Sequence, residues 1–496
     1  MDVKQWLPEF QVSAESDTHL QSYFLQRPEV DKIINGTSWL VLGRKGVGKT
    51  AIYEYLKNSQ PTKLNNYNTI CINFNDYPWP AHNLYKESLA GELSAYQKSW
   101  KYLFYIKALA KLIEIKQTKN EPLNKELKWA LKYLNEVYGN PDPTLTEVII
   151  SKIIRISKIK GPGVDTDEID LDMGEISFED IPENAQLKQK LRSNAFSLLS
   201  YFETIFQNNS GQHKIIIALD QLDENWLSGE IEEYSKVLIN LLNVCRNISQ
   251  DFKVNKNLKI ITFLRSDIYN SLKFNDKNKL LQDRSVTISW DNDSLDEMFY
   301  ERIKKYAPKN FDLGESSGQK TSCLFEAKFV RQGTPVFKYV TRRSFFRPRD
   351  VIVYLNKVRE NHRTNSSGLY TTPELYDADH DASASVYNEL IDEWSNQFPE
   401  IDDLLSVLQL IQVESFTYDD FVNKHSSIFS CNSPSKAQEH LYFLFNNSII
   451  GQKKQGRWEY VCSTPELKLN IEREFRTHHA LKYRLQLLES RPNQNI

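Results

Sequence analysis

Cysteine is scarce in this sequence, and long apolar runs are missing from it. The five cysteines are scattered and odd in number, and no pair has metal-ligand spacing, which argues against a disulfide framework. No apolar stretch approaches the roughly 18 residues needed to cross a bilayer. The N-terminus also lacks the basic-then-apolar order of a signal peptide. These absences predict a cytoplasmic protein without a membrane partner.

An excess of one charge is also absent. The formal net charge is −3 over 496 residues, so there is no global basic surface that would require nucleic acid. Hydrophobic residues make up 40% and charged residues 26%, which is typical of a globular protein of two to four domains. The nine histidines show no H-E-x-x-H spacing. The sequence therefore offers no metalloprotease motif.

One glycine-rich segment matches G-x-x-x-x-G-K-[ST], the phosphate-binding P-loop. An apolar strand is predicted before it, at Trp39–Leu42, and a helix after it, at Ala51–Leu56, as the motif requires. Lys49 would reach the β- and γ-phosphates, and Thr50 would ligate Mg²⁺. A glycine-rich turn with a surface lysine is the alternative. The predicted nucleotide contacts are Gly43, Arg44, Lys45, Gly46, Val47, Gly48, Lys49, Thr50 and Ala51.

A second segment combines a buried strand with carboxylates. The run Lys214–Asp220 is apolar enough for a strand buried on both faces, and further acidic residues follow it. Asp220, at the carboxyl end of this strand, is predicted to hold Mg²⁺ through water. Either Asp223 or Glu224 would orient or deprotonate the attacking water. The alternative is a strand that ends in a polar turn.

Arginines mark two further candidate positions. Arg265 follows a strand predicted at Lys259–Leu264, where it would face the γ-phosphate; the alternative is a surface arginine. Arg347 and Arg349 flank a helix start at Pro348, where positive charge opposes the helix dipole. This conflict indicates a nearby anion, from a nucleotide or a neighbouring subunit, although a surface ion-pair network would also explain it.

The order of elements predicts an α/β doubly wound parallel sheet, because five strands alternate with helices and a P-loop follows the first. The second strand is predicted at Asn68–Asp76 and the fifth at Ser285–Trp290. A helical insertion at about 81–208 interrupts the alternation. Within it, Lys98–Lys160 has 13 basic and 6 acidic residues, whereas Gly161–Glu183 has 9 acidic residues and no basic one. This pattern indicates either a loop that folds back on its basic neighbour or a partner-docking surface.

Three domains are predicted. They are an ATPase-like core at 1–291 that includes the insertion, a helical lid at 292–395 and a C-terminal unit at 396–496. In the lid, Ser294 is predicted to be a helix N-cap with Glu297 completing a capping box. The polar segment 370–383 is predicted to be a loop.

The C-terminal unit has the order helix, helix, helix, hairpin, which is typical of a winged helix. Ile401–Ile496 holds 11 acidic and 11 basic residues, and its clearest basic spot is a hairpin turn with Lys453, Lys454 and Arg457. Because neutralisation of phosphates dominates affinity for duplex DNA, this composition predicts weak DNA binding and favours a protein partner.

These motifs together resemble a bacterial P-loop ATPase family related to the STAND and KAP branches of AAA+ proteins. The resemblance covers about residues 20–360 and, more loosely, the C-terminal region. It is carried by Tyr23-Phe24, Leu42–Ile52, Leu219–Glu224, Leu264–Tyr269 and Arg347–Asp350. It implies ATP at the P-loop, Mg²⁺ at Asp220, a γ-phosphate sensor at Arg265, and a lid arginine at Arg347 or Arg349. Many relatives carry an acid where this chain has Gln221, so hydrolysis would depend on Asp223 or Glu224, or be slow.

The resemblance also implies a regulated switch, of a kind often encoded beside an effector in bacterial anti-phage defence. We therefore expect a slow Mg²⁺-dependent ATPase whose nucleotide state controls a protein effector or sensor subunit. Self-association into a homo-oligomer, with an arginine reaching the next subunit's nucleotide, fits this expectation. A nucleic-acid-dependent ATPase that grips DNA through the winged helix is one alternative, and a nucleotide-binding scaffold without turnover is another.

Overall fold

A computed structural model describes residues 2–75, 92–149, 198–223, 231–313, 319–429 and 434–489. The chain divides into two compact units. The lid unit comprises Met1–Leu25, Arg44–Ala51 and Ile288–Ile496, and the sheet unit comprises Gln26–Gly43 and Ile52–Thr287. The acidic segment Gly161–Glu183 and residue Glu224 lie outside the described residues.

The strands, in chain order, are β1 Leu40–Gly43, β2 Tyr67–Asn73, β3 Lys214–Asp220, β4 Leu258–Arg265, β5 Ser285–Thr287, β6 Phe329–Val330, β7 Thr334–Pro335, β8 Ser415–Phe416, β9 Ile450–Lys454, β10 Arg457–Glu459 and β11 Phe475–Thr477. The helices are α1 Val3–Trp6, α2 Leu20–Tyr23, α3 Pro28–Ile34, α4 Lys49–Asn58, α5 Glu92–Thr118, α6 Lys125–Tyr138, α7 Leu145–Ile149, α8 Leu199–Asn209, α9 Ile231–Gln250, α10 Ser266–Ser271, α11 Lys277–Arg284, α12 Asn292–Tyr306, α13 Val336–Thr341, α14 Pro348–Asn361, α15 Thr372–Trp394, α16 Ile401–Ile411, α17 Tyr418–Ile428 and α18 Pro434–Asn446.

The sheet unit is built on five parallel strands in the order β2-β3-β4-β1-β5. The central strands consist almost entirely of buried apolar residues, as expected where helices cover both faces of a parallel sheet. The strand order places β1 between β4 and β5, so the direction of winding changes beside it. Ligands bind at such a switch point, outside the carboxyl ends of the strands. The predicted α/β parallel sheet of five strands is confirmed.

A helical layer packs on this sheet and forms one continuous core with it. The long helix α5 contacts α6, α8, α9 and β3, and its Trp100 and Phe104 are fully buried in this core. A cluster of tyrosine hydroxyls joins α5 to α6, because the hydroxyl oxygen of Tyr102 lies 2.8 Å from that of Tyr133 and 2.6 Å from that of Tyr138. The described part of the insertion is therefore an integral layer of the sheet unit.

The lid unit contains two hydrophobic cores. The first joins α1, α12, α13 and α14, and the second joins α16–α18 to a four-stranded antiparallel sheet in the order β10-β9-β11-β8. Helix α15 contributes to both, with Leu375 and Ala378 in the first core and Leu390 and Trp394 in the second. One continuous helix of 23 residues therefore links the first core to the second. Below, the predicted segment 292–395 is called the lid and the segment 396–496 the C-terminal module; both lie within the lid unit.

Two local predictions in the lid are wrong. The segment 370–383 is not a loop, because α15 begins at Thr372, where Thr371 and Glu374 form a capping box. Leu375, Ala378 and Ala382 supply a buried apolar stripe, and the polar residues Asp379 and Ser383 are buried beside it. Ser294 is not the N-cap of α12 either: Asp291 caps the helix, and Ser294 is the N3 residue of that capping box. Two strands are also shorter than predicted, since β2 ends at Asn73 and β5 at Thr287.

The C-terminal module has the predicted element order of three helices and a hairpin, with the short strands β8 and β11 completing its sheet. Its assignment as a winged helix stays a prediction, as do the domain boundaries. Among the described residues, no helix combines the length and hydropathy that a bilayer span requires.

Candidate functional site

In the sheet unit, the predicted site residues lie where neighbouring strands end. Gly43, the last residue of β1, is in register with Arg265, the last residue of β4. Asp220 is the last residue of β3, the strand on the other side of β4, and its side chain is buried. The structure thus brings Gly43, Asp220 and Arg265 to one edge of one sheet. The residue that follows Asp220, Gln221, has a φ of 60°, so the chain turns sharply there.

Arg265 is held by two carboxylates at this edge. Its Nε and Nη2 donate to Asp267 at 3.1 and 2.8 Å, and its Nη1 lies 3.8 Å from Asp223. A paired, mostly buried guanidinium has few alternative orientations, so Asp267 positions Arg265. Asp223, one of the two candidate acids, therefore lies beside the predicted phosphate sensor. Glu224, the other, is outside the described residues.

In the lid unit, the backbone of the P-loop adopts the conformation that glycine permits. Gly46 and Gly48 have φ values of 80° and 96°. Three of the loop's carbonyls accept hydrogen bonds: Arg44 O from Lys49 Nζ at 3.1 Å, Val47 O from Trp290 Nε1 at 2.8 Å, and Gly46 O from the Arg349 amide at 3.5 Å. In a loop of this kind, successive backbone N–H groups turn inward on an anion, which is how it cradles phosphate.

The two lid arginines both contact this loop. A Cβ added to Gly46 would lie 3.4 Å from Arg347 Cδ and 3.4 Å from Arg349 Cβ. Both contacts arise because α14 begins at Pro348, between the two arginines. Two carboxylates of α15, Glu389 and Glu393, pair with these arginines, which is closer to the ion-pair alternative. The predicted anion from a nucleotide or a neighbouring subunit stays a prediction.

Arg347 and Glu393 form a fully buried ion pair. Nη1 donates to Glu393 at 2.9 Å, and the two side chains are 2% and 1% exposed. Burial would lower the pKa of Arg347, but the charges of Glu393 and Asp350 outweigh it and raise the pKa, so the guanidinium stays protonated. Its Nε and Nη2 have no hydrogen-bond partner among the described residues. A buried guanidinium with unsatisfied donors beside Gly46 is suited to a phosphate oxygen.

Glu389 forms a more exposed pair. A single oxygen, Oε1, lies 2.6 Å from Arg349 Nη1 and 3.3 Å from Lys45 Nζ. Burial would raise the pKa of Glu389, but the charges of Arg349 and Lys45 outweigh it and hold the pKa below its usual range. A lid carboxylate is therefore ionised at neutral pH and holds a cation of the P-loop.

Arg44, the second residue of the P-loop, binds the C-terminal module. Its Nη2 donates to the backbone carbonyl of Asn447 at 2.8 Å, just after the end of α18, and its Nη1 lies 3.5 Å from Ser448 Oγ. Cations are favoured at helix C-termini, where carbonyls lack intrahelical partners. The loop is thus attached to both cores of the lid unit.

Sequence reasoning found the P-loop, the strand-end residues and the lid arginines, but it missed four of their partners. Trp290, Glu389 and Asn447 are distant in sequence from the loop that they contact. Glu393 is likewise distant from its partner Arg347. Only the spacing of Glu389 and Glu393, four residues apart on one helix face, was a signal that could have been noticed. The roles of all the site residues stay predictions.

The comparisons with known proteins are limited. A family model described as a FunZ-associated C-terminal helical domain matches residues 293–391, which spans most of α12 to α15. No curated protein matches the chain.

Three solved structures are similar to this chain over most of its length. Cdc6p from Pyrobaculum aerophilum has a TM-score of 0.30 at 10% identity, covering 94% of this chain and 96% of that one. The Aeropyrum pernix ORC1 protein in complex with DNA has a TM-score of 0.38 at 11% identity, covering 96% of both chains. Drosophila ORC bound to DNA has a TM-score of 0.30 at 12% identity, covering 97% of this chain and 94% of that one. These similarities are too low to carry an argument about what this chain does.

Proposed function

We propose that this chain is an ATPase of the P-loop class that acts as a nucleotide-controlled switch. The observation that carries the proposal is the P-loop with two glycines at positive φ and a buried arginine whose Nε and Nη2 lack partners among the described residues. Glycine backbone, a following helix and a guanidinium are the groups that bind phosphates. They fit a nucleoside triphosphate, and guanine-reading sequence is absent from the strand ends, which favours ATP.

The proposed roles follow the position of each residue. Lys49 and the loop amides bind phosphates, and Thr50 and Asp220 ligate Mg²⁺, which neutralises charge on the phosphates when bound. Arg265, held by Asp267, senses the γ-phosphate, and Arg347 and Arg349 act from the lid. Asp223 or Glu224 orients the attacking water. Because Gln221 occupies the place of an acid common in relatives, we expect slow turnover.

We infer that the switch acts on a protein partner, an effector or a sensor subunit, and that it belongs to bacterial anti-phage defence. The support for a switch is that the lid and the C-terminal module share α15 and both attach to the P-loop. The resemblance to STAND- and KAP-related ATPases supports the defence role. The same resemblance leads us to propose a homo-oligomer. We expect the mass of the assembly, measured in solution, to change when nucleotide binds.

Nucleotide binding and phosphate release by the purified protein test this proposal. Lys49→Ala should lower ATP affinity and phosphate release by at least about tenfold, because Lys49 contacts the phosphates. Lys57→Ala is the matched control: it removes a lysine from the same helix, α4, where Lys57 pairs with Glu54 at 3.1 Å. Normal binding and turnover by Lys49→Ala would overturn the site. Binding without turnover in wild type would instead identify a scaffold.

The same assay can identify the catalytic acid. Asp223→Asn and Glu224→Gln should each be compared with wild type for phosphate release at saturating ATP. The variant that loses turnover by about a hundredfold while keeping ATP affinity identifies the residue that orients water. If both variants keep full turnover, neither residue is the catalytic acid.

A further inference from the structure

Two carboxylates on one face of α15 face the cations around the P-loop, and their environments differ. Glu393 pairs with Arg347 in a site where both side chains are at most 2% exposed. Glu389, one helical turn earlier, pairs with Arg349 and Lys45, and the three side chains are 24%, 34% and 30% exposed. Breaking the buried pair would leave an unpaired buried charge, whereas the half-buried pairs of Glu389 can exchange their carboxylate for another anion at a lower cost. The two acids are therefore suited to different tasks.

The position of Glu389 resembles that of a bound anion. One carboxylate oxygen accepts from a P-loop cation and from a lid cation at the same time. Arg349 itself lies against Gly46, at the turn of the loop. Carboxylate and phosphate oxygens bind lysine and arginine through the same charge-assisted hydrogen bonds. A nucleotide phosphate and Glu389 would therefore compete for the same two side chains.

We propose that Glu389 is an internal competitor of the nucleotide, which holds Lys45 and Arg349 until a phosphate group displaces it. This inference rests on the proposed function and adds a means of regulation to it. Binding of ATP would release α15 from the P-loop at Glu389, while the buried pair of Arg347 and Glu393 stays in place. Because α15 reaches into the core of the C-terminal module, the exchange gives that module a signal of nucleotide occupancy.

The opposite role makes the opposite prediction. If Glu389 positions Arg349 for phosphate binding, neutralising Glu389 should weaken nucleotide affinity. If Glu389 competes, neutralising it should increase the fraction of protein that is ready to bind, and the apparent Kd should fall by the same factor. The sign of the change in affinity thus separates competition from positioning.

The test is equilibrium binding of ADP and a non-hydrolysable ATP analogue at about 50 mM KCl, where ion pairs near the surface are screened less than at physiological salt. We expect Glu389→Gln and Glu389→Ala to bind about tenfold more tightly than wild type. Glu389→Asp, which keeps the charge, should stay closer to wild type than either. Asp392→Asn is the matched control, because Asp392 is an exposed acid on the same helix, and its affinity should be unchanged.

The outcomes separate this inference from the proposed function. Unchanged or weaker binding by both neutral variants, with normal binding by wild type, overturns the competitor role and leaves the P-loop assignment intact. Absence of binding by wild type and by both variants overturns the proposed function together with this inference. Circular dichroism of each variant checks folding, and two different neutral substitutions guard against a packing defect in one of them.

Discussion

At the scale of single residues, Gly46 is the position where backbone conformation and ligand chemistry meet. Its φ of 80° lies in the left-handed region, and an added Cβ would contact both Arg347 and Arg349 at 3.4 Å. The turn thus requires glycine, and the lid arginines leave room for little more than a methyl group at this position. A substitution there tests both requirements together, so it needs a control for backbone strain.

Gly456 is that control, because it has a φ of 77° in the hairpin turn between β9 and β10, and a Cβ there would meet nothing within 4 Å. We expect Gly46→Ala and Gly456→Ala each to lower the free energy of unfolding by about 1 kcal/mol, through backbone strain. Only Gly46→Ala should weaken ATP binding, by at least about tenfold, because its methyl group fills the space beside the guanidinium groups. Urea denaturation and ATP titration measure the two effects. Equal ATP affinity for both variants would contradict the proposed phosphate site.

At the scale of helices and strands, the success of prediction depended on how local the signal was. Buried strands are encoded by short apolar runs, and β3 begins at Lys214 and ends at Asp220 as predicted. The prediction of a loop at 370–383 failed because the buried apolar residues of this part of α15, Leu375, Ala378 and Ala382, stand among several acids. The predicted N-cap of α12 was wrong because Asp291 and Ser294 are both good capping residues, and the helix begins after Asp291, three positions earlier than predicted.

The candidate site could be predicted in part for the same reason. Lys49, Asp220 and Arg265 each follow or end a strand that is recognisable from a few adjacent residues. The carboxylates that hold the lid arginines come from α15, about 40 residues further along the chain, in a helix whose start was not recognised. Sequence could indicate that Arg347 and Arg349 need an anion, but only the packing of α14 against α15 shows which anions are present.

Helices α17 and α18 carry a buried histidine pair that should respond to pH. Nε2 of His425 lies 2.9 Å from Nδ1 of His440, and both residues are at most 2% exposed. The pKa of His425 is lowered to about 4, mainly by burial and also by the charges of His440 and Lys436, while Glu400 opposes these effects. Burial also lowers the pKa of His440, although Glu400, 3.3 Å away, opposes the shift. Both rings are therefore neutral in the folded module at pH 7.

Because the pKa of His425 is lower in the folded state than its unfolded value of about 6.5, the unfolded chain binds more protons between these values. Stability is thus complete above about pH 6.5 and is lost as the pH falls toward 4. For His425 alone, the loss from pH 7.5 to 5.5 should be about 1 kcal/mol. Hydrogen exchange of amides in α16–α18 measures this local stability. His425→Gln keeps a donor near His440 without titrating, and should flatten the pH dependence. His19→Gln, at an exposed position, should leave it unchanged.

At the scale of the whole molecule, charge decides between a protein partner and a nucleic acid. The C-terminal module is neutral overall, and several of its cations pair with its own acids. Lys453 pairs with Glu474 at 2.7 Å, and Lys436 pairs with Glu400 at 2.8 Å. Among the described residues of this module, Trp458 is the feature best suited to a nucleic acid, because the cations of Lys453 and Arg476 both lie within 6 Å of its ring. DNA phosphates would have to displace carboxylates to use these cations.

We therefore expect weak binding to duplex DNA, with a Kd above about 10 μM at 150 mM KCl. The slope of log K against log [KCl] should be no steeper than about −3, since few lysines and arginines can neutralise phosphates. Glu474→Gln frees Lys453 and should tighten whatever binding exists, whereas Glu472→Gln, a neighbouring exposed acid, should change it less. A Kd below about 0.1 μM with a slope near −6, accompanied by DNA-stimulated phosphate release, would favour the nucleic-acid-dependent ATPase instead. In that case the attachment of Arg44 to Asn447 would be the route by which DNA acts on the P-loop, because it joins that loop to the end of α18.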